Sequence, residues 1–237
     1  MQSIFNNLQA IRSKIDAVTP EINSLFSAEQ LNKVQLLAVS KAQSVAAIRE
    51  AYQAGIRIFG ENYLQEALDK QSQLTDLNIE WHFIGPIQSN KTQLIAQHFA
   101  WVQSVDRLKI AQRLNDARPD FLPALQVCLQ VNISGEASKS GVAPTDLVGL
   151  AAAVAQLPRL QLRGLMTIPA PTQDVQLQSA QFSQVRQCYE QLREKGFKLD
   201  TLSMGMSEDF ESAISQGATM VRIGAGLFGV RQYSTKQ

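Results

Sequence analysis

Eight short apolar runs, each followed by a stretch of different periodicity, dominate this sequence. Val34–Lys41, Ile56–Asn62, Ile79–Gly85, Trp101–Val105, Leu125–Ile133, Leu160–Ile168, Thr201–Gly205 and Met220–Gly229 read as strands. Several are apolar at successive positions, the pattern of a parallel strand covered on both faces. Between them, Ser44–Ala54, Leu64–Leu74, Lys91–Phe99, Arg107–Ala117, Thr145–Gln156, Gln176–Lys195 and Asp209–Gln216 read as helices, the first ended by Gly55. Eight such units in roughly 200 residues predict a single TIM-like (β/α)8 barrel. A doubly wound sheet shares the alternation and is the alternative. Ile4, Phe5, Leu8, Ile11, Ile15 and Val18 fall at helical spacing and predict an extra N-terminal helix. No linker or repeat divides the chain, so residues 1–237 are expected to form one domain, with a polar final segment, RQYSTKQ, that frays.

In a barrel, chemistry gathers where strands end. The first strand, LLAVSK, closes on Ser40 and Lys41 after four apolar residues. A lysine there is either an ordinary strand terminus or an amine held in a pocket. The other ends supply Glu61 and Asn62, Gly85, Asp106, Asn132, Met166 and Thr167, Gly205 to Ser207, and Arg222 to Gly226. Arg222 stands between Val221 and Ile223, where a charge is costly unless satisfied. It reads as a buried structural ion pair or as a fixed donor to a planar ligand. RIGAGLFG (Arg222–Gly229) brings glycines to the end of the last strand, either to admit a phosphate to backbone amides or to ease barrel closure. In GMSEDFESAI, Ser207 sits where a helix N-cap belongs, with acids in the first turn that suit the dipole. A phosphate can use its hydroxyl if those carboxylates point outward. Asn62 reads as a ligand contact or a cap. His82, mid-strand, reads as a core histidine. Ser89, Asn90, Lys91 and the SKSG stretch (Ser138–Gly141) read as anion-binding rims or as solvated turns.

Composition removes whole classes. A net charge of +1 over 237 residues gives no electrostatic case for nucleic acid or an anionic membrane. No apolar run approaches the roughly 20 residues of a membrane span. The N-terminus carries no export signal, so the cytoplasm is expected. Cys128 and Cys188 read as free thiols, and no Cys/His cluster has metal-site spacing. What remains is an amine nucleophile, a phosphate cradle and a directional arginine on one rim. Those match the aldehyde, phosphate and ring nitrogen of pyridoxal 5′-phosphate (PLP).

LLAVSK, FGENY, WHFIGPIQSNK, LRGLMTIPAP, MSEDFESAI and VRIGAGLFG occur in order over nearly the whole chain. In them the sequence resembles the YggS/PROSC family, the pyridoxal phosphate homeostasis proteins. The resemblance implies a barrel like the N-terminal domain of alanine racemase. It implies Lys41 holding PLP as a Schiff base, Arg222 facing the pyridine nitrogen, and Ser207 and Gly224 at the phosphate, with Asn62 and Met166 lining the cofactor. The family often has Thr or Ser where this chain has Ala225, so one hydroxyl contact is lost while the backbone N–H stays. The implied function is PLP binding in vitamin B6 homeostasis and amino-acid balance, without robust catalysis, and no catalytic residue is assigned. PLP-dependent apoenzymes are candidate acceptors, and a monomer is expected. The alternative is a weak racemase or a Schiff-base aldolase. The sequence offers little for it: Asp106 and Glu61 are the strand-end carboxylates, and Tyr52, Tyr63, Tyr189 and Tyr233 fall on helices, at a helix start or in the tail.

Overall fold

A computed structural model describes residues 3–22, 34–135 and 140–229, and the side chains of residues 3–18 within the first of these. The SKSG stretch lies partly, and the RQYSTKQ tail wholly, outside the described residues. The eight strands are β1 (Gln35–Val39), β2 (Ile58–Glu61), β3 (Glu80–Phe83), β4 (Trp101–Val105), β5 (Leu125–Gln130), β6 (Leu160–Met166), β7 (Thr201–Ser203) and β8 (Met220–Ile223). All pairings are parallel, each strand lies beside its successor, and β1 pairs with β8 in register Leu37 to Arg222. The sheet is closed, which the alternation alone left open. Around it run α1 (Ile4–Ile22), α2 (Val45–Gln53), α3 (Leu64–Ser72), α4 (Thr92–His98), α5 (Leu108–Ala117), α6 (Leu147–Ala155), α7 (Val175–Glu194), α8 (Phe210–Ser215) and α9 (Ala225–Phe228).

Seven of the eight strands are shorter than the apolar runs that announced them, some losing residues at both ends, and β4 matches its run. The largest difference is Met220–Gly229. Only its first four residues are strand, and the glycine turn leads directly into the short α9.

The two faces of each strand do different work. Ala38, Phe59, Phe83, Val102, Val127, Leu165, Leu202 and Val221 point outward and form one core with the helices. The alternate residues point into the barrel. Leu37, Ile84 and Met220 make one apolar cluster there, and Trp101, Cys128 and Met166 another. Between them lie polar residues with almost no exposure: His82, Gln103, Ser203 and Arg222.

Period-2 alternation also explains why one mouth collects the chemistry. Continuing inward from Leu37 and Val39 gives Lys41; from Ile58 and Gly60 it gives Asn62; from Met220 and Arg222 it gives Gly224. Gly85 makes this mouth possible on the β3 side. A Cβ there would overlap the backbone carbonyl of Asn62, so any side chain would push Asn62 away.

Candidate functional site

At the C-terminal mouth of the barrel a cavity of about 320 Å³ is lined by Val39, Lys41, Asn62, Ile84, Ser207, Arg222, Gly224 and Ala225, among others. Six of the seven residues singled out by sequence therefore line one cavity. The seventh, Met166, is fully buried and packs below with Trp101 and Cys128. Two residues farther along the same inward series, Ile168 lines the cavity instead. A larger hollow of about 910 Å³ opens at the opposite mouth and contains none of these residues.

Lys41 is set by what lies behind it. The Ser40 carbonyl accepts from Lys70 Nζ at 2.6 Å, and the Ala42 amide donates to Glu66 Oε1 at 2.6 Å. Lys70 also bonds Glu61 Oε1 (2.8 Å) and Glu66, and the Ser40 hydroxyl donates to the same Glu61 oxygen at 2.7 Å. The peptides on both sides of Lys41 are thus pinned by a largely buried ion cluster. Ala42 has φ 58°, a left-handed conformation that costs a non-glycine residue about 1 kcal/mol or more. The cluster holds the chain in it. Ser44 then starts α2, its hydroxyl accepting from the Ala47 amide. Glu61 faces this cluster and not the cavity. Burial raises its pKa, and Lys70 works against that rise.

Arg222 forms part of the cavity floor and is 3% exposed. Its Nη1 donates to Ser203 Oγ (2.9 Å) and its Nη2 to the Thr167 carbonyl (2.7 Å). Burial pushes its pKa down to about 10, which leaves it protonated at neutral pH. Its hydrogen-bond partners are neutral, so the structural ion-pair reading gives way to a held cation. Asn62 Oδ1 is buried with no hydrogen-bond partner, and α3 begins at Tyr63 without a side-chain cap. Asn62 itself lines the cavity, so this acceptor is a candidate ligand contact.

Ser207 does not cap α8. That helix begins three residues later, after a turn in which Asp209 Oδ1 accepts from the Met206 amide at 2.6 Å. Ser207 Oγ instead accepts from the Gly226 amide at 3.1 Å, tying the β7 loop to the glycine turn. A Cβ at Gly226 would press on that hydroxyl at 3.3 Å. The acids do not all turn away as the phosphate reading wanted. Glu211 pairs with Lys14 outside, whereas Glu208 and Asp209 stand on the cavity rim.

The remaining strand-end and tyrosine candidates have other surroundings. Asp106 pairs with Arg107 and is not part of the lining. Ser89–Lys91 is a 3-10 turn leading into α4, with the Ser89 carbonyl taken by Thr92 and Arg113. Tyr63 is exposed, Tyr189 donates to the Leu199 carbonyl and Tyr52 stacks on Arg57. Tyr233 lies outside the described residues. Among the described residues no cluster has metal-binding composition, and no helix is long and apolar enough to cross a membrane.

His82 is a core histidine. It stacks on Trp101 at 5.0 Å, and burial lowers its pKa against the pull of Glu80. A histidine with a lowered folded pKa stays neutral while its unfolded counterpart protonates below about pH 6.5. Its share of stability is therefore full above that pH and is lost as pH falls. The expected slope from this one group is up to about 1.4 kcal/mol per pH unit. Urea unfolding of wild type and His82→Phe between pH 5 and 7.5 measures it: the variant loses that part of the slope.

Residues 6–232 match the family model of the alanine racemase N-terminal domain. The chain is 65% identical over 200 residues to the pyridoxal phosphate homeostasis protein of Pseudomonas aeruginosa, covering 84% of this chain and 86% of that one. It is 50% identical to the Escherichia coli K12 protein of the same name, over the full length of both. Among solved structures, PipY of Synechococcus elongatus with PLP bound superposes with a TM-score of 0.78 at 39% identity, covering 91% of this chain and all of that one. An alanine racemase of Clostridium difficile shares the fold alone, at 16% identity and a TM-score of 0.72.

Proposed function

The chain belongs to the family of pyridoxal phosphate homeostasis proteins, and from that membership we propose that it binds PLP in the C-terminal mouth of its barrel and serves PLP homeostasis. The observation that carries this reading is the convergence of Lys41, Asn62, Arg222, Ser207 and the Gly224–Ala225 turn on one cavity. Ser207 Oγ accepts from the Gly226 amide and keeps its own proton to donate, which fits a small ligand with an anionic end.

The residues take separate roles. Lys41 would hold PLP through its amine, the group on this cavity wall able to condense with an aldehyde as a Schiff base with loss of water. Arg222, a donor and not an acceptor, would hold the ring nitrogen and favour its unprotonated form. Ser207 and the Gly224–Ala225 backbone hold the phosphate. Asn62 orients the ring, and Met166 supports the floor from below. The bound group offers an electrophilic carbon to amines, and an unprotonated ring is a weak electron sink.

Binding and storage fit these residues better than turnover. Asp209 is engaged by the Met206 amide, and the described tyrosines do not line the cavity. We place the protein in the cytoplasm as a single-domain monomer, with PLP-dependent apoenzymes as acceptors of the cofactor.

Titration of the cofactor-free protein with PLP and with unphosphorylated pyridoxal tests the phosphate contacts. Loss of charge-assisted hydrogen bonds worth about 1.5–3 kcal/mol each predicts at least about tenfold weaker binding of pyridoxal. Ala225→Thr adds a hydroxyl at the turn and is expected to tighten PLP but not pyridoxal. Equal affinity for both ligands overturns the phosphate assignment.

A further inference from the structure

Arg222 is the upper end of a hydrogen-bond chain that runs down the inside of the barrel. Its Nη1 donates to Ser203 Oγ at 2.9 Å. Ser203 Oγ donates to Gln103 Oε1 at 2.7 Å. Gln103 Nε2 meets His82 Nδ1 at 2.8 Å, and His82 Nε2 meets Glu80 Oε1 at 2.8 Å. Ser203, Gln103 and His82 have no exposure, whereas the Glu80 side chain is 46% exposed in the hollow at the opposite mouth.

The direction of this chain is forced from its ends. A guanidinium only donates, so Ser203 accepts from it and spends its own proton on the next partner. That partner is then the Gln103 carbonyl oxygen, which turns the Gln103 amide nitrogen toward His82. His82 Nδ1 must accept, which fixes the Nε2–H tautomer, and Nε2–H donates to the Glu80 carboxylate. A neutral His82 is what its burial favours. Four hydrogen bonds therefore point the same way, from a buried cation to a carboxylate at the far mouth. Aligned bonds of this kind polarise one another in a low-dielectric interior.

We propose that Ser203, Gln103, His82 and Glu80 are positioning residues: a one-way hydrogen-bond chain through the barrel that fixes the Arg222 guanidinium toward the ring nitrogen of pyridoxal phosphate. The proposal rests on the reading of Arg222 given above. The chain supplies what a lone buried arginine lacks. The Thr167 carbonyl holds one nitrogen of the fork, and Ser203 holds the other. Without the orientation passed up from Gln103, the Ser203 hydroxyl could rotate and release that second contact. None of the four residues lines the cofactor cavity, so any effect on the bound cofactor travels through Arg222.

The test compares wild type with Arg222→Lys, Gln103→Met, Ser203→Ala and His82→Phe, each titrated with PLP. The readouts are the dissociation constant, the visible absorption bands of the bound cofactor, and the thermal midpoint of the cofactor-free protein. Met and Phe keep most of the apolar volume, and Phe keeps the stack on Trp101. Gln103→Met and Ser203→Ala are expected to weaken PLP by about tenfold, the scale of one hydrogen bond to a charged group. Their absorption bands shift in the same direction as those of Arg222→Lys. His82→Phe, one link farther away, shifts them in that direction by less. If Arg222→Lys changes affinity and bands while the other folded variants keep those of wild type, the relay is overturned and the Arg222 reading stands. A lower thermal midpoint with unmoved bands is equally contrary, because it makes these residues merely structural. Unchanged affinity and bands in Arg222→Lys overturn the reading of Arg222 itself.

Discussion

Lys70→Met is expected to lower the unfolding free energy by about 3–5 kcal/mol at neutral pH, the cost of breaking a buried ion pair from one side. Lys70 is 5% exposed and Glu61 fully buried, and the second Glu61 oxygen already has no partner. Removing the ammonium leaves a carboxylate in a space that favours its neutral form. The pH dependence has a definite sign. Without Lys70 the folded pKa of Glu61 rises farther above its unfolded value. The folded state then binds the extra proton, and stability falls as pH rises through that interval. The deficit of the variant is therefore larger at pH 8 than at pH 5. Denaturant titrations at the two pH values check it. Replacing both partners, Lys70→Met with Glu61→Leu, recovers much of the loss, since a well-packed apolar pair avoids the desolvation cost. A single variant as stable as wild type at pH 8 contradicts the cluster's structural role. Because the same cluster pins Ser40 and Ala42, the single variant also loosens Lys41 and weakens PLP binding.

Lys41→Ala is expected to abolish cofactor that survives denaturation after borohydride treatment, and to weaken PLP binding by about 100-fold or more, roughly 3 kcal/mol. Binding does not vanish, because Arg222, Ser207 and the Gly224–Ala225 turn remain. The residual complex should lose the long-wavelength band of a Schiff base and keep that of the free aldehyde. Equilibrium dialysis and absorption spectra separate the covalent from the noncovalent part. Wild-type affinity in the variant would mean that the amine contributes nothing.

Much of the site was legible because a strand alternates. Lys41, Asn62 and Arg222 stood at strand ends in the sequence, and with β1, β2 and β8 in place, counting by two from Leu37, Ile58 and Met220 explains why they reach the same mouth. The same count explains the position of Met166, which is inward but one step too deep, with Ile168 taking the wall. The alternative reading of Ser207, as a helix cap, fails for a local reason. Serine followed by acids looks like a helix start, but the Asp209–Met206 turn delays α8 and frees the hydroxyl for Gly226. The Lys70 cluster was not legible, because it joins α3 to the ends of two strands and no spacing within the sequence encodes that contact. Gln103 and Ser203 left a signal that went unused: with His82 and Arg222 they are polar residues at inward positions of successive or facing strands. A glutamine inside WVQSV costs free energy unless it is bonded on both sides, and that cost is the clue.

The most direct test of the central claim is borohydride reduction of the PLP-loaded wild-type protein, followed by proteolysis and mass spectrometry of the lysine-containing peptides. The account predicts one pyridoxyl group per chain, on Lys41. A pyridoxyl group on a different lysine, with Lys41 unmodified, contradicts it.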